Sequence, residues 1–264
     1  MSDQPIVCCI LLVNGRREMT RRAIASFRAQ TYDRVSRWLI LFDSGLEQFR
    51  MSESDLENEV HVDARAFEGS TIGALRNAVN SLSRDGRADL IAHFDSDDVS
   101  HPRRLEEQVA LLQASGKQCV GYRECLFWDT RRRLPGGGYR YDEAWLYRQD
   151  DPRFAIGASF MYRRELWEKH PFPDAPHEDY RWWLTPEVSN NCMGVSSVVP
   201  REVWRDSGEP QAWQTQIDDC GEPRMICQIH GANTEQIPRE VMLAGDVWRR
   251  ASGFDVFCTR VMNL

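Results

Sequence analysis

An acidic segment, Asp95–Asp98, directly follows the apolar run Leu90–Phe94 and reads Asp-Ser-Asp-Asp. Two carboxylates spaced i, i+2 at the end of a buried strand can face one divalent metal ion, and Mg²⁺ and Mn²⁺ favour carboxylate oxygens as ligands. Mg²⁺ sites commonly combine one or two such carboxylates with the phosphates of a substrate. The alternative is an Asp-rich turn that caps a helix beginning near Pro102. An EF-hand is excluded because the segment lacks the glycine that such a loop requires.

Hydrophobic patterning predicts the elements that must position this acidic segment. Continuous apolar runs bounded by turn residues indicate buried strands of a parallel sheet, and apolar residues at helical spacing indicate the helices between them. In chain order we predict strand Ile6–Val13, helix Thr20–Gln30, strand Trp38–Phe42, helix Ser70–Ser83, strand Leu90–Phe94 and a helix from about Pro102 to Ala114. This alternation is typical of an α/β fold with a parallel sheet.

Polar residues follow three of these predicted strands. Asn14 and Asp43 come directly after the first two strands, and Asp95–Asp98 follow the third. The carboxyl ends of parallel strands meet at one edge, and ligands of open α/β sheets bind beyond that edge. We therefore expect these side chains to face one ligand site.

The periodicity weakens after about residue 116. Residues 129–153 are rich in Arg, Gly and Tyr, which predicts a flexible loop. Further along we predict an ordered segment at Phe154–Tyr162, short helices from Arg164 and around Asp179–Leu184, a strand at Ile226–Ile229, and a C-terminal helix and tail from Pro238.

Composition limits the class of protein. The 264 residues carry a net charge of −7 and are 42% hydrophobic, which fits a globular fold and argues against nonspecific coating of nucleic acid. None of the 8 cysteines forms a Cys-x-x-Cys pair, so a zinc ribbon is not predicted. The longest apolar run, Ile6–Val13, is too short to cross a bilayer, and no signal peptide is recognisable. We therefore expect a cytoplasmic protein with reduced thiols and no stable membrane insertion.

A series of segments resembles the family 2 glycosyltransferases, which have the GT-A fold and use nucleotide-sugar donors. In order, they are Ile10–Arg16, Arg22–Tyr32, Leu39–Gly45, Ala74–Asn77, Ala92–Asp98 with His101-Pro102, Gly157–Met161, His177–Trp183 and His230–Thr234. The match around Asp95–Asp98, the family's DXD segment, is the most specific. Each of the other matches is less specific by itself, but all of them occur in the same order as in the family. Together the matches cover roughly residues 6–235.

The resemblance implies a GT-A-type three-layer α/β/α sandwich with a mostly parallel central sheet. Residues 1–115 would form the donor-binding half, 116–237 the acceptor-binding and catalytic half of the same domain, and 238–264 a C-terminal helix and tail. The implied activity is metal-dependent, inverting transfer of one sugar from a nucleoside-diphosphate sugar to an acceptor hydroxyl. By family frequency the donor would be UDP-linked, and the cofactor would be Mn²⁺ or Mg²⁺.

The resemblance also implies roles for individual residues. The residues in contact with the donor would be Val13, Asn14, Arg16, Asp43, Arg76, Asp95 and Ser96, and the metal ligands would be Asp97, Asp95 and His230. The general base would be Asp179, supported by Glu178. The acceptor side would contain Gly157, Trp182 and Trp183. These roles agree with the chemistry. A metal stabilises the charge of the departing diphosphate as a Lewis acid. A carboxylate that takes the acceptor's proton contributes about 10²–10⁴-fold.

The sequence departs from the family pattern in three places. Leu12-Val13-Asn14 stand where Pro-Thr-Tyr is usual, and Phe42-Asp43 leave one carboxylate where two are usual. The Gln-x-x-Arg-Trp motif of the processive members is absent from the sequence, which favours transfer of a single sugar.

Several alternatives stay open at this level. Asp179 can instead be an acidic residue that stabilises a helix N-terminus. The Arg- and aromatic-rich stretch is either a solvated lid or a surface for an anionic acceptor, which includes the modified bases of phage DNA. The Arg and aromatic residues of this stretch are Trp128, Arg131–Arg133, Tyr139–Tyr141, Trp145, Tyr147, Arg148 and Arg153. A nucleotidyltransferase would need a Gly-rich loop, which Asn14–Arg17 do not provide. The remaining alternative is a noncatalytic module that binds a nucleotide or a carbohydrate.

Overall fold

A computed structural model describes residues 4–13, 16–33, 37–43, 59–63, 67, 69–85, 88–133, 139–199, 222–230 and 237–262. Asn14 lies outside these ranges, and of Asp43 only the backbone is described. The strands are β1 (Val7–Val13), β2 (Arg37–Asp43), β3 (Glu59–Asp63), β4 (Leu90–His93), β5 (Val99–Ser100), β6 (Cys119–Arg133), β7 (Tyr139–Arg148), β8 (Met161–Arg163), β9 (Cys192–Ser196), β10 (Val198–Val199), β11 (Glu222–Pro223), β12 (Met225–Ile229) and β13 (Trp248–Arg250). The helices are α1 (Arg17–Arg28), α2 (Ile72–Asp85), α3 (Arg104–Ser115), α4 (Arg164–Lys169), α5 (Glu178–Trp183), α6 (Pro186–Ser189), α7 (Arg239–Ala244) and α8 (Asp255–Met262).

The first half of the chain forms the predicted parallel sheet. Strand β1 lies between β2 and β4 and is parallel to both, and β3 extends the sheet beyond β2. The register pairs Val13 with Asp43 and Ile10 with His93, so β1, β2 and β4 end at the same edge. The acidic segment after β4 therefore lies at the carboxyl edge, where ligands of such sheets bind.

Helices cover both faces of this sheet, because successive residues of a strand point to opposite sides. On β1, Val7, Cys9 and Leu11 pack with residues of α1 and α3, whereas Cys8 and Ile10 pack with residues of α2, α4, α5 and α6. All five side chains are at most 3% exposed. Both faces being buried explains why β1 reads as a continuous apolar run instead of an alternating one.

The second half of the chain adds an antiparallel part to the same sheet. Strand β8 pairs antiparallel with β4 and with β6, and β6 pairs antiparallel with β7. Strands β9 and β12 run parallel to β6.

The predicted flexible loop over residues 129–153 is wrong, because β6 continues to Arg133 and β7 occupies Tyr139–Arg148. The Arg and Gly content is typical of a loop, but the aromatic residues of the stretch favour strands, and one oppositely charged pair joins the two strands. Arg148 lies opposite Glu124 in the register and 3.6 Å from it between charged atoms. Residues 134–138, which include the three glycines, lie outside the described ranges.

The C-terminal segment is more ordered than the helix and tail predicted from Pro238. It contains two helices, α7 and α8, and β13 pairs antiparallel with β7 between them. Phe257, Cys258 and Val261 of α8 are buried against Leu126 and Trp128 of β6. This segment therefore closes the core over the β6–β7 hairpin. The helices among the described residues all fall short of the length and hydrophobicity that a bilayer crossing requires.

Candidate active site

The acidic segment is held as a turn directly after β4. The amide of Phe94 donates to Ile10 O (2.9 Å), and the amide of Asp98 donates to Asp95 O (3.3 Å) and closes the turn. Ser96 is 3% exposed. The buried Asp98 accepts a hydrogen bond from the amide of Gln228 (3.0 Å), which ties the turn to β12. Burial, together with the charges of Asp97 and Asp95, raises the pKa of Asp98 well above its ordinary value.

Asp97 forms the first charged cluster, with His230 at the end of β12 and Arg16 at the start of α1. Asp97 Oδ2 lies 3.0 Å from His230 Nε2 and accepts a hydrogen bond from Arg16 Nη1 at 2.7 Å. The same Arg16 nitrogen lies 3.2 Å from His230 Nε2. Burial alone would raise the pKa of Asp97, but the hydrogen bond from His230 and the charge of Arg16 bring it below its ordinary value. The structure thus joins two of the three predicted metal ligands to a predicted donor residue.

Arg76 of α2 is the centre of a second charged cluster. Its Nε lies 3.1 Å from Glu178 Oε1, and its Nη2 lies 3.7 Å from Asp95 Oδ1. The side chains of Arg76 and Glu178 are each 7% exposed, so this pair is inside the protein. Burial raises the pKa of Glu178, which the charge of Arg76 opposes and that of Asp179 reinforces. Arg76 therefore connects the donor-side segment to the predicted catalytic helix.

His93 extends this second cluster below the surface. Its Nδ1 lies 2.8 Å from Gly157 O, and Arg76 Nη1 contacts the same nitrogen. His93 Nε2 lies 3.1 Å from the hydroxyl of Tyr162. Burial and the charge of Arg76 lower the pKa of His93 well below its ordinary value. Sequence reasoning did not select His93; its signal was a polar residue inside the apolar run Leu90–Phe94, directly before the acidic segment.

Asp179, in the first turn of α5, packs directly against Gly157. Its Oδ1 accepts a hydrogen bond from the amide of Tyr180 at 2.7 Å. A Cβ added at Gly157 would lie 1.9 Å from Asp179 Oδ2, so only glycine permits this approach. Burial raises the pKa of Asp95 above its ordinary value, which the charge of Arg76 opposes and the charges of Asp97 and Asp179 reinforce. The structure thus brings the predicted base, the predicted acceptor-side glycine and the donor-side carboxylate together.

The two tryptophans predicted on the acceptor side occupy different environments. Trp182 is 1% exposed, and its ring lies 4.7 Å from Phe172 and 5.4 Å from Phe160 between centroids. The structure therefore does not place Trp182 where an acceptor could contact it. Trp183 is partly exposed and stacks on Tyr180 at 5.8 Å, one turn from Asp179.

The remaining predicted donor residue that the structure describes is Val13. It is 3% exposed at the last position of β1, so its side chain belongs to the core. Its backbone ends the strand directly before Asn14, which lies outside the described ranges.

The residues of the first cluster fit part of a metal site. A carboxylate oxygen and an imidazole nitrogen are donors that Mn²⁺ accepts. Two ligand atoms of one octahedral ion with bonds of about 2.1 Å are about 3 Å apart, and Asp97 Oδ2 and His230 Nε2 are 3.0 Å apart. Among the described residues, however, no three His, Cys, Asp or Glu side chains are grouped to hold a metal ion.

Comparison with known proteins gives the family. The model of Glycosyl transferase family 2 matches residues 8–170, which is more than half of the 264 residues. The chain therefore belongs to glycosyl transferase family 2, and the resemblance found in the sequence is confirmed. No curated protein matches the chain.

Solved structures show the same fold at low sequence identity. S. aureus TarS 1–349 in complex with UDP-GlcNAc is 11% identical with a TM-score of 0.55, and 98% of this chain covers 67% of that chain. The mannosyltransferase PcManGT from Pyrobaculum calidifontis, in complex with GDP-Man and Mn²⁺, is 13% identical with a TM-score of 0.51, and the coverages are 98% and 69%. The chain spans 37% of the longer S. aureus TarS chain, at a TM-score of 0.51. The predicted GT-A fold class is confirmed.

Replacement of Arg76 by Met tests the second cluster. The change leaves the carboxylate of Glu178, 7% exposed, without its guanidinium partner. Loss of one partner of a buried ion pair costs about 3–5 kcal/mol, so we expect urea denaturation to show a decrease of that size in the free energy of unfolding. Arg76→Met/Glu178→Gln should recover part of the loss. A double variant as unstable as the single one would contradict the pairing.

Stability should also depend on pH through His93. Its pKa is lowered in the folded protein, so the unfolded chain binds the proton more tightly and the free energy of unfolding falls as the pH drops below about 6.5. Uptake of one extra proton on unfolding changes the free energy of unfolding by at most about 1.4 kcal/mol per pH unit. Urea denaturation between pH 7.5 and 5.5 should show a shallower decline in His93→Gln than in the wild type. His170→Gln is the control, and parallel declines in wild type and His93→Gln would contradict the assignment.

Proposed function

We propose that the protein transfers a glycosyl group from a nucleoside-diphosphate sugar to an acceptor hydroxyl, with inversion and with help from a divalent metal ion. The observation that carries this proposal is the contact between Asp179 and Gly157 beside the Asp95–Asp98 turn, in a chain of glycosyl transferase family 2. One ionisable group thus stands next to the edge of the sheet where a donor would bind. Residues 1–115 would supply the donor side and residues 116–237 the acceptor side.

The donor diphosphate would lie at the carboxyl ends of β1 and β4. Arg16 supplies a guanidinium there, and guanidinium groups match phosphate oxygens in shape and charge. Asp97 and His230 would hold the metal ion, which would stabilise the charge of the leaving diphosphate as a Lewis acid. Arg76 would set the position of Asp95, 3.7 Å away. The structural neighbours were solved with UDP, UDP-GlcNAc and GDP-Man, which supports a nucleotide-sugar donor of the UDP or GDP type.

Asp179 would be the general base. Its Oδ1 is engaged by the amide of Tyr180, which fixes the orientation of the carboxylate. Its Oδ2, over Gly157, would accept the proton of the acceptor hydroxyl as that oxygen attacks the anomeric carbon. A single displacement of this kind inverts the anomeric configuration. The glycosidic bond forms as the bond to the diphosphate breaks, and the proton remains on Asp179.

Thermal unfolding with UDP, GDP, CDP and dTDP, each with Mn²⁺ or with EDTA, tests the donor site. Ligand at a concentration of 100 times its Kd stabilises the folded protein by about 2.7 kcal/mol. For a chain of this size, that stabilisation raises the Tm by several degrees. We expect one nucleotide to raise the Tm in this way with Mn²⁺. Asp97→Asn should abolish the Mn²⁺-dependent part, and Asp150→Asn, at a residue 96% exposed, should keep it. No shift with any nucleotide would contradict the proposal.

A further inference from the structure

Arg16 lies at the position in the first cluster where the proposed function requires a metal ion. Its Nη1 is 2.7 Å from Asp97 Oδ2 and 3.2 Å from His230 Nε2, the two atoms that would bind the metal. The side chains of Arg16, Asp97 and His230 are 21%, 12% and 8% exposed. The cation is therefore partly shielded from water and close to both candidate ligands.

The nearby Arg22 does not take this place. Its Nη2 donates to Gln228 Oε1 at 2.8 Å, and its Nη1 donates to Met262 O. These contacts tie Arg22 to β12 and to the end of α8. Arg16, in contrast, precedes α1 as its N-cap residue, and its side chain reaches across to the acidic turn.

A divalent ion bound to Asp97 and His230 would compete with this guanidinium. Both would use the same carboxylate oxygen, and two cations at a separation of about 4 Å repel each other strongly where water screens them poorly. A metal ion can therefore bind only as the guanidinium leaves. An incoming diphosphate offers the guanidinium a new anionic partner within the same site.

We propose that Arg16 is the resident cation of the metal position: it excludes divalent metal from the nucleotide-free protein and transfers to the diphosphate when the donor binds. This inference rests on the proposed function and deepens it. It makes metal binding dependent on a bound diphosphate. Asp97 thus has a cationic partner of its own without metal, whereas in the second cluster Asp95 shares Arg76 with Glu178.

The test is a titration of the nucleotide-free protein with Mn²⁺, followed by electron paramagnetic resonance. We expect Arg16→Gln to bind Mn²⁺ at least tenfold more tightly than the wild type. Arg16→Lys keeps the charge, so its Mn²⁺ affinity should stay within a few-fold of that of the wild type. The Mn²⁺ affinity of Arg21→Gln, a change at a residue 51% exposed, should also stay within a few-fold. The double variant Arg16→Gln/Asp97→Asn should lose the increase in Mn²⁺ affinity that Arg16→Gln shows. Thermal unfolding of each variant confirms that it is folded.

A second arm uses inorganic diphosphate in the presence of EDTA. Arg16→Gln should weaken its binding at least tenfold, whereas Arg21→Gln should not. Equal Mn²⁺ affinities of the wild type and Arg16→Gln, whether tight or too weak to measure, would overturn the exclusion of metal. Unchanged diphosphate binding would overturn the transfer of Arg16 to the ligand. Neither arm contains a sugar donor, so these failures are distinct from a failure of the proposed glycosyl transfer, which would appear as absent donor turnover.

Discussion

Asp179→Asn is expected to lower kcat for donor turnover by about 10²–10⁴-fold, the usual contribution of a positioned general base. Asparagine has the size of aspartate, and its side-chain oxygen can still accept the hydrogen bond from the amide of Tyr180. The amide nitrogen would then replace Oδ2 over Gly157 and could not take a proton from the acceptor. The nucleoside diphosphate released from UDP-GlcNAc, UDP-glucose or GDP-mannose measures kcat.

Nucleotide binding separates loss of the base from loss of the fold. The Kd for the nucleoside diphosphate should stay within twofold in Asp179→Asn, because the donor contacts are made by other side chains. Glu187→Gln on the neighbouring helix α6 is the control and should keep full turnover. A kcat within a factor of three of the wild type would remove Asp179 as the base.

Gly157→Ala is expected to lower both stability and turnover. The added Cβ would lie 1.9 Å from Asp179 Oδ2 and 2.5 Å from Asp179 Cβ, so either α5 or the turn at Gly157 must move. Overpacking of this kind costs about 1–3 kcal/mol. A shift of a catalytic group by about 1 Å lowers turnover roughly 10²-fold. Urea denaturation and the donor-turnover assay measure the two effects.

A double variant shows whether the clash with Asp179 causes the loss of stability. Gly157→Ala/Asp179→Gly removes both the carboxylate and the Cβ that the new methyl group would meet, so its loss of stability should be smaller than the sum of the two single losses. Residues in direct contact show such coupling, whereas distant residues give additive effects. Additive losses in the double variant would mean that Gly157 and Asp179 do not pack as described.

The donor side of the fold could be predicted from local sequence patterns. Continuous apolar runs identified β1, β2 and β4, because both faces of these strands are buried. The turn chemistry after β4 then placed Asp95 and Asp97 at the carboxyl edge of the sheet. Each of these inferences uses residues that are neighbours in sequence, which is the range over which periodicity carries information.

The contacts that organise the candidate site could not be predicted in the same way. Arg76 meets Glu178 across 102 positions of sequence, and the ion pair depends on how α2 and α5 pack. The burial of Trp182 has the same origin, because two adjacent tryptophans on a short helix look alike until the packing of that helix is known. The antiparallel pairing of β6 with β7 was not predicted, because the Arg and Gly content of residues 129–153 indicated a loop.

The central claim is that the Asp95–Asp98 turn and Asp179 act on one nucleotide-sugar. The most direct measurement is release of nucleoside diphosphate from a set of UDP- and GDP-sugars by the wild type, Asp97→Asn and Asp179→Asn, with Mn²⁺ present. The account predicts that one donor is cleaved and that each substitution lowers its turnover at least 10²-fold. The Mn²⁺-dependent part of nucleotide binding should be kept in Asp179→Asn and lost in Asp97→Asn. Turnover that both substitutions leave unchanged, or no cleavage of any donor by a wild-type protein that binds no nucleotide, would contradict it.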